Sequence, residues 1–324
     1  MLAPFTATQL TSLRERMDVT YESWMETRQL QDPDELAARL RDEGISILVV
    51  ESDFVFEEVV EEASSLRLVG ICRAATHQID VEAATHHGVL VVNTPSRNAQ
   101  AVAEHALGLM LALARQIPWA DRYVKDDRWQ NPVEPYLSMR GIELAERTLG
   151  IIGLGAVGRK TAALAQAFEM TCLAYDPYAS QPPDGVQMVE LDDLMAASDF
   201  VAVHAPATPE TAGLLDARRI GLVRPTAYIV NLSDASIVSE AALVEALREK
   251  RIAGAAMDVF ETQPIVPNSP FLDLDNVVLT PHLGGATDET IERHSRMMAD
   301  DILRFLNGER PANLVNPEAW DRRG

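Results

Sequence analysis

The stretch Thr148-Leu-Gly-Ile-Ile-Gly153-Leu-Gly155-Ala-Val-Gly158-Arg159 constrains this chain more than any other. An apolar run, long enough for one buried strand, ends on three glycines spaced GxGxxG, and a helical pattern follows at once. Strand, glycine turn and helix in that order form part of a βαβ unit, which requires a parallel sheet. Gly153 suits the tight turn, Gly155 lets a pyrophosphate approach the backbone, and Gly158 lets the helix pack on the strand. The amides of Ala156 and Val157 open the helix and are free to hold phosphate oxygens. The next apolar run, 171–176, ends in Asp176, roughly 20 residues beyond Gly153. A carboxylate there accepts hydrogen bonds from both ribose hydroxyls and repels a 2′-phosphate, so the pattern predicts NAD rather than NADP. The bland alternative is a glycine turn beside an ordinary surface acid.

The same alternation runs through nearly the whole chain. Residues 45–50, 66–72 and 89–93 read as strands, with helices over 34–41, 56–63 and 81–86. A second series begins at 148–153 and continues with strands at 171–176, 200–204, 226–231, 253–259 and 276–280. Helices at 157–168, 239–248 and 288–306 belong to it. Between the two series lies an amphipathic helix, 99–115, stopped by Pro118. Residues 119–146, rich in Trp, Tyr, Pro and charge, read as a loop or arm. At the start, residues 1–5 are barely long enough for a first strand, and a helix is already legible at 8–16.

At 324 residues the chain has room for about two domains. Its net charge of -21 lacks the basic footprint that nucleic acid or an anionic membrane surface requires, so neither is an expected partner. Cys72 and Cys172 sit in strand-like runs and read as small buried hydrophobes. Neither a disulfide framework nor metal-ligand spacing is present, and no metal is expected. The longest apolar stretch, 101–114, is interrupted by Glu104 and His105 and is too short to span a bilayer. With no signal peptide apparent, a cytoplasmic protein with a small-molecule substrate is the expectation.

Six segments together resemble one family, the D-isomer-specific 2-hydroxyacid dehydrogenases. They are Val92-Asn-Thr-Pro95, Val102-Ala-Glu-His105, Gly150 to Gly158, Asp176-Pro177, Met257-Asp-Val-Phe260 and Thr280-Pro-His-Leu-Gly-Gly285, within a likeness running from Ile47 to Asn316. The resemblance implies an α/β fold of two Rossmann-like domains, a flavodoxin-like substrate domain and an NAD-binding domain, with parallel sheets and the active site in the cleft between them. The substrate domain would comprise 1–98 and 290–324, and the NAD domain 99–289. A homodimer through the NAD domain is implied. NAD contacts carried across by position fall at Ala156, Val157, Asp176, His204, Ala205, Thr211, Asp258 and Gly285, with backbone at Leu232 and Ser233. Asp258 would receive the nicotinamide carboxamide, and Val102 would lie near the nicotinamide. His282 matches the catalytic histidine, and an imidazole suits the removal of a hydroxyl proton. The other histidines, His86, His87 and His294, read as surface, and His105 as a capping or packing residue.

Three departures cluster on the chemistry. Where the family carries an arginine that clamps the substrate carboxylate, the segment Asn231-Leu-Ser-Asp234-Ala235 places Asp234, and the charge is inverted. Where the family carries the glutamate that partners the histidine, the chain has Gln263, which can orient His282 but is a weaker partner for an imidazolium than a carboxylate. Where members often have a glycine-rich loop, the chain reads Cys72-Arg73-Ala74-Ala75-Thr76-His77-Gln78-Ile79-Asp80. Arg73, Thr76, His77, Arg97 and Asn98 would then face the substrate, although Arg73 and Arg97 read equally as surface charge. Asp234 would either accept hydrogen bonds from a polyol or sugar-like group or orient His282 in place of Gln263. The departures leave two readings: an oxidoreductase with an atypical substrate site, or a catalytically impaired NAD(H)-binding regulatory or scaffold protein.

Overall fold

Ten strands form in residues 1–322, the part of the chain that the computed structural model describes. They are β1 (Ile47–Val50), β2 (Leu68–Ile71), β3 (Leu90–Asn93), β4 (Thr148–Ile152), β5 (Thr171–Tyr175), β6 (Val186–Met188), β7 (Phe200–Val203), β8 (Tyr228–Asn231), β9 (Gly254–Met257) and β10 (Val277–Leu279). Every pairing between them is parallel. The chain divides into two units. One is Met1–Arg97 with the segment from Thr287 onward, and the other is Asn98–Ala286.

The second unit holds a seven-stranded sheet in the order β10-β9-β8-β7-β4-β5-β6. β4 leads outward to β5 and β6 on one side, and the chain then returns to build β7 to β10 on the other. This is the doubly wound order, and its reversal lies between β4 and β7, where the carboxyl ends of the strands leave a crevice. Unbroken apolar strands follow from burial on both faces. Leu149, Ile151, Phe200, Ala202 and Val230 pack one face, and Leu173, Val201, Val203, Ile229 and Met257 the other.

The first unit has three strands in the order β1-β2-β3. Leu48, Val50, Val69, Ile71 and Val91 fill one side; Val49, Leu68, Leu90 and Val92 meet Met298, Ala299 and Ile302 of the helix Asp288–Leu306 on the other. Gly70 permits that helix to approach: a side chain there would begin 2.3 Å from the Met298 sulfur.

The elements differ from the sequence expectation in several places, among them the helices Leu191–Ala197 and Pro317–Asp321, which that expectation does not include. Residues 1–5 form no strand; Leu2 and Ala3 N–H both donate to Val49 O, so the segment lies on the edge of β1 without a ladder. β6 carries a single buried residue, Val186, and so left no apolar run to read. The region 119–146 contains the helix Val133–Ser138 and most of Ile117–Lys125. Pro118 opens the latter rather than only stopping its predecessor, because a first-turn proline gives up an N–H that has no helical partner anyway. No described helix is long and apolar enough to cross a membrane.

Candidate functional site

The loop after β4 lies at the sheet's reversal. Gly153 has φ +92, and a side chain on it would begin 2.4 Å from the Ala205 nitrogen. At Gly158 it would begin 2.1 Å from the Gly153 carbonyl oxygen, so the helix Ala156–Ala167 can seat against the turn only with glycine there. Gly155 is the opposite case, with nothing among the described residues within 4 Å of that position. That open side, above a helix whose cap has no side-chain acceptor, leaves the amides of Ala156 and Val157 available to an anion. Asp176, just past β5, is fixed beside the turn: one carboxylate oxygen accepts from Leu154 N at 2.8 Å, the other from Tyr178 N at 2.9 Å.

Further along the same edge, Ser233 Oγ donates to Ala205 O, and Thr211 Oγ1 donates to Pro206 O at 2.7 Å. His204 turns its ring inward, Nε2 lying 3.0 Å from Thr161 Oγ1, and burial lowers its pKa to about 4. Its ring is therefore neutral, and any part it takes in holding a cofactor falls to its backbone.

His282 follows β10 with φ +55, a left-handed backbone that costs a non-glycine residue about 1–3 kcal/mol. Its Nδ1 lies 2.8 Å from Gln263 Oε1. Gln263 Nε2 donates to Phe260 O at 3.3 Å, which fixes the amide orientation. Gln263 therefore presents its oxygen and His282 Nδ1 carries a hydrogen, which in the neutral ring leaves the lone pair on Nε2. Asp234 shares with these two residues a depression of about 380 Å³, also lined by Ser233, Ser236 and Glu261. Asp234 does not bond His282. Its Oδ1 accepts from Ser236 N at 2.9 Å and Ser236 Oγ at 2.6 Å.

Asp258, 1% exposed, sits beneath this loop. Burial alone would raise its pKa, but the nearby His105 ring together with hydrogen bonds from Thr280 and the amides of Leu283 and Gly284 outweighs it and holds the carboxyl below its ordinary value. A side chain at Gly284 would begin 3.1 Å from Asp258 Oδ2 and 3.6 Å from Val102, and one at Gly285 would begin 3.2 Å from Asn98 Nδ2. Val102, Asn98, Asp258 and Gly285 thus meet around one loop.

The remaining candidates belong to the first unit, at the carboxyl ends of β1, β2 and β3. Arg73 Nη2 donates to Ser52 Oγ at 3.2 Å, and its buried Nε has no partner among the described residues. Burial lowers its pKa. Thr76 is half-buried and His77 exposed. Arg97 is engaged instead: Nη2 donates to Glu51 at 2.5 Å, Nη1 to His294 Nδ1 at 2.6 Å, and its side chain is 11% exposed. His294, read as surface from sequence, is fully buried, because this arginine and Pro4 O satisfy both ring nitrogens.

Residues 107–284 match the family model described as D-isomer specific 2-hydroxyacid dehydrogenase, NAD binding domain. The chain belongs to the D-isomer-specific 2-hydroxyacid dehydrogenase family. It is similar to a D-3-phosphoglycerate dehydrogenase of Archaeoglobus fulgidus, 41% identical over 274 residues that cover 84% of this chain and 51% of that protein. A glyoxylate reductase of Korarchaeum cryptofilum is 40% identical over 270 residues, 82% of this chain and 81% of the other. Among solved structures, the TT0316 protein of Thermus thermophilus superposes with a TM-score of 0.85 at 31% identity, covering 96% of this chain and 97% of that one. The chain spans about half the length of the phosphoglycerate dehydrogenases it matches.

Family membership makes the second unit an NAD-binding domain, and the open glycine turn, the free helix amides and the anchored Asp176 fit that cofactor. Sequence reasoning did not single out Asn231, Thr280 or Glu51. Asn231, fully buried, closes the loop after β8: its Oδ1 accepts from Ser233 N and its Nδ2 donates to Asp234 O. An asparagine ending a strand before a short polar loop was the available signal.

Proposed function

We propose that the protein is an NAD-dependent oxidoreductase acting on the CH–OH or C=O group of a small hydroxy acid or sugar-derived substrate, with His282 as acid and base. The observation that carries this reading is the His282–Gln263 pair, which in the neutral ring leaves Nε2 as the accepting nitrogen on the wall of the depression. NAD supplies or accepts the hydride when bound. His282 handles the proton, taking it from the hydroxyl at Nε2 in oxidation and returning it in reduction. Gln263 holds the ring by a neutral hydrogen bond. Asp234 cannot clamp a carboxylate, so it recognises hydroxyl donors of the substrate. Arg73, whose Nε lacks a partner among the described residues, takes the anionic group with Thr76 and His77, while Asn98 supports the loop at Gly285. Arg97, engaged by Glu51 and His294, serves the first unit's packing rather than the substrate.

Fluorescence titration with NADH and NADPH, followed by a panel of 2-oxo acids and sugar-derived carbonyl compounds, tests the reading. NADH is expected to bind at least about tenfold tighter than NADPH, because a 2′-phosphate beside Asp176 brings like charges together. One substrate class is expected to oxidise NADH at about 1 per second or faster. Equal affinity for the two cofactors would undo the role given to Asp176. Tight binding without oxidation across the panel would leave a cofactor-sensing protein instead.

The reading includes a homodimer formed through the NAD-binding unit. Exposed apolar side chains on and between its two arm helices support it: Ile117, Val124, Trp129, Val133, Tyr136 and Leu137. Sedimentation should give two chains per particle, and Trp129→Ser with Leu137→Ser should give one. A wild-type monomer at micromolar concentration would remove the dimer from the proposal. Cys72 and Cys172 are free and buried, which accords with a cytoplasmic home.

A further inference from the structure

We propose that His105 and Thr280 are positioning residues for His282, acting through Asp258. The proposal rests on the reading of His282 as the acid and base, and its geometry lies wholly within the second unit.

Thr280 fastens the turn at three points. Its N–H donates to Met257 O on β9 at 3.0 Å, its carbonyl accepts from His282 N at 3.0 Å, and its hydroxyl donates to Asp258 Oδ1 at 2.5 Å. Asp258 in turn receives the two amides that follow His282, Leu283 N on Oδ1 and Gly284 N on Oδ2, both at 2.8 Å. Those two amides and the Thr280 carbonyl bracket His282, so its left-handed φ is imposed from both sides.

His105 completes the arrangement from a different element, the helix Ala99–Ala114. Its Nε2 is 3.3 Å from Thr280 Oγ1 and 3.6 Å from Asp258 Oδ1. The Thr280 hydroxyl has given its proton to Asp258, so His105 Nε2 is the donor. The donor chain runs His105 to Thr280 to Asp258, and the carboxylate cannot turn away without leaving these donors and the buried Gly284 amide unpaired. Val102, one turn earlier on the same helix, stands near Gly284 and closes the other side of the loop. Loosening this chain frees the backbone that aims the imidazole, without touching Gln263.

Deuterium uptake by the peptide spanning residues 279–286 tests this in cofactor-free wild type and in Thr280→Val, Thr280→Ser, His105→Ala and His105→Gln. Thr280→Val and His105→Ala are expected to exchange there about tenfold faster, with the rest of the second unit unchanged. In the same variants kcat should fall about ten- to a hundredfold, while KM for the carbonyl substrate stays within about twofold, because the loss falls on the aim of the reacting group. Thr280→Ser and His105→Gln keep a hydroxyl and an N–H donor and should restore both readouts. Unchanged uptake in this peptide overturns the proposal, and so does faster uptake spread evenly over the unit or faster local uptake with kcat intact. If the wild type oxidises no NADH with any carbonyl compound, the functional reading falls, and the uptake comparison still decides whether the clamp exists.

Discussion

His282→Ala should lower kcat by about 10²–10⁴-fold with NADH affinity nearly unchanged. In the neutral imidazole Nε2 is the accepting nitrogen on the depression, because Gln263 Oε1 holds a proton on Nδ1. Glu261 and Asp234 share the wall, but Asp234 spends Oδ1 on Ser236. Gln263→Ala should cost less, about tenfold, because it removes orientation and leaves the base. Steady-state rates with the best carbonyl substrate of the panel, together with NADH titrations of each variant, check both expectations. An alanine variant at His282 that keeps wild-type kcat would assign the proton to another group, and the reading of the site would have to be rebuilt around Asp234.

The parts of this molecule legible in the sequence are those whose causes are local. Gly158 answers to the Gly153 carbonyl five residues back and Gly155 to the opening beside it, so their spacing carries their roles, whereas Gly153 also faces the backbone of Ala205, 52 residues on. The strands were legible because burial on both faces writes an unbroken apolar run, and β6 was missed because only Val186 is buried. His282 stands out only by its flanking motif, and its pairing with Gln263, 19 residues away, was reachable only through the family resemblance. Arg97 shows the limit most clearly. Its partners lie 46 and 197 residues away, and nothing near it in sequence distinguishes a substrate-facing guanidinium from one enclosed by Glu51 and His294. Asp234 had a local signal that the charge-inversion argument overrode: an Asp two residues before a serine commonly caps its own turn, as Asp234 does here.

Acidification from about pH 6.5 to about pH 4 should destabilise both units, and the cause is two neutral histidines. His294 is 0% exposed. Its Nε2–H donates to Pro4 O at 2.7 Å and its Nδ1 accepts from Arg97, so a second proton would meet a guanidinium N–H. Burial first, and then the charge of Arg97, hold its pKa at about 4, against an ordinary 6.5. The unfolded chain therefore binds the proton over this range and the folded chain does not. Stability is complete above the ordinary value and is lost as pH falls toward the folded one, by roughly 3 kcal/mol for His294. His204, lowered to about 4 by burial, acts in the same direction in the other unit. Asp258, held below the carboxylate range, adds its own loss only at still lower pH. Since a domain's net stability is about 5–15 kcal/mol, the loss from His294 alone is a large fraction of what the first unit has. Urea midpoints measured from about pH 8 to about pH 4 should fall steeply below about pH 6.5. His294→Gln, which cannot take up the proton, should flatten the fall in the first unit while lowering its midpoint at neutral pH. A midpoint flat across this range in the wild type would mean that His294 is protonated in the folded state. The Arg97–His294 hydrogen bond, which requires the bare Nδ1, could not then be the contact that holds Arg97 in place.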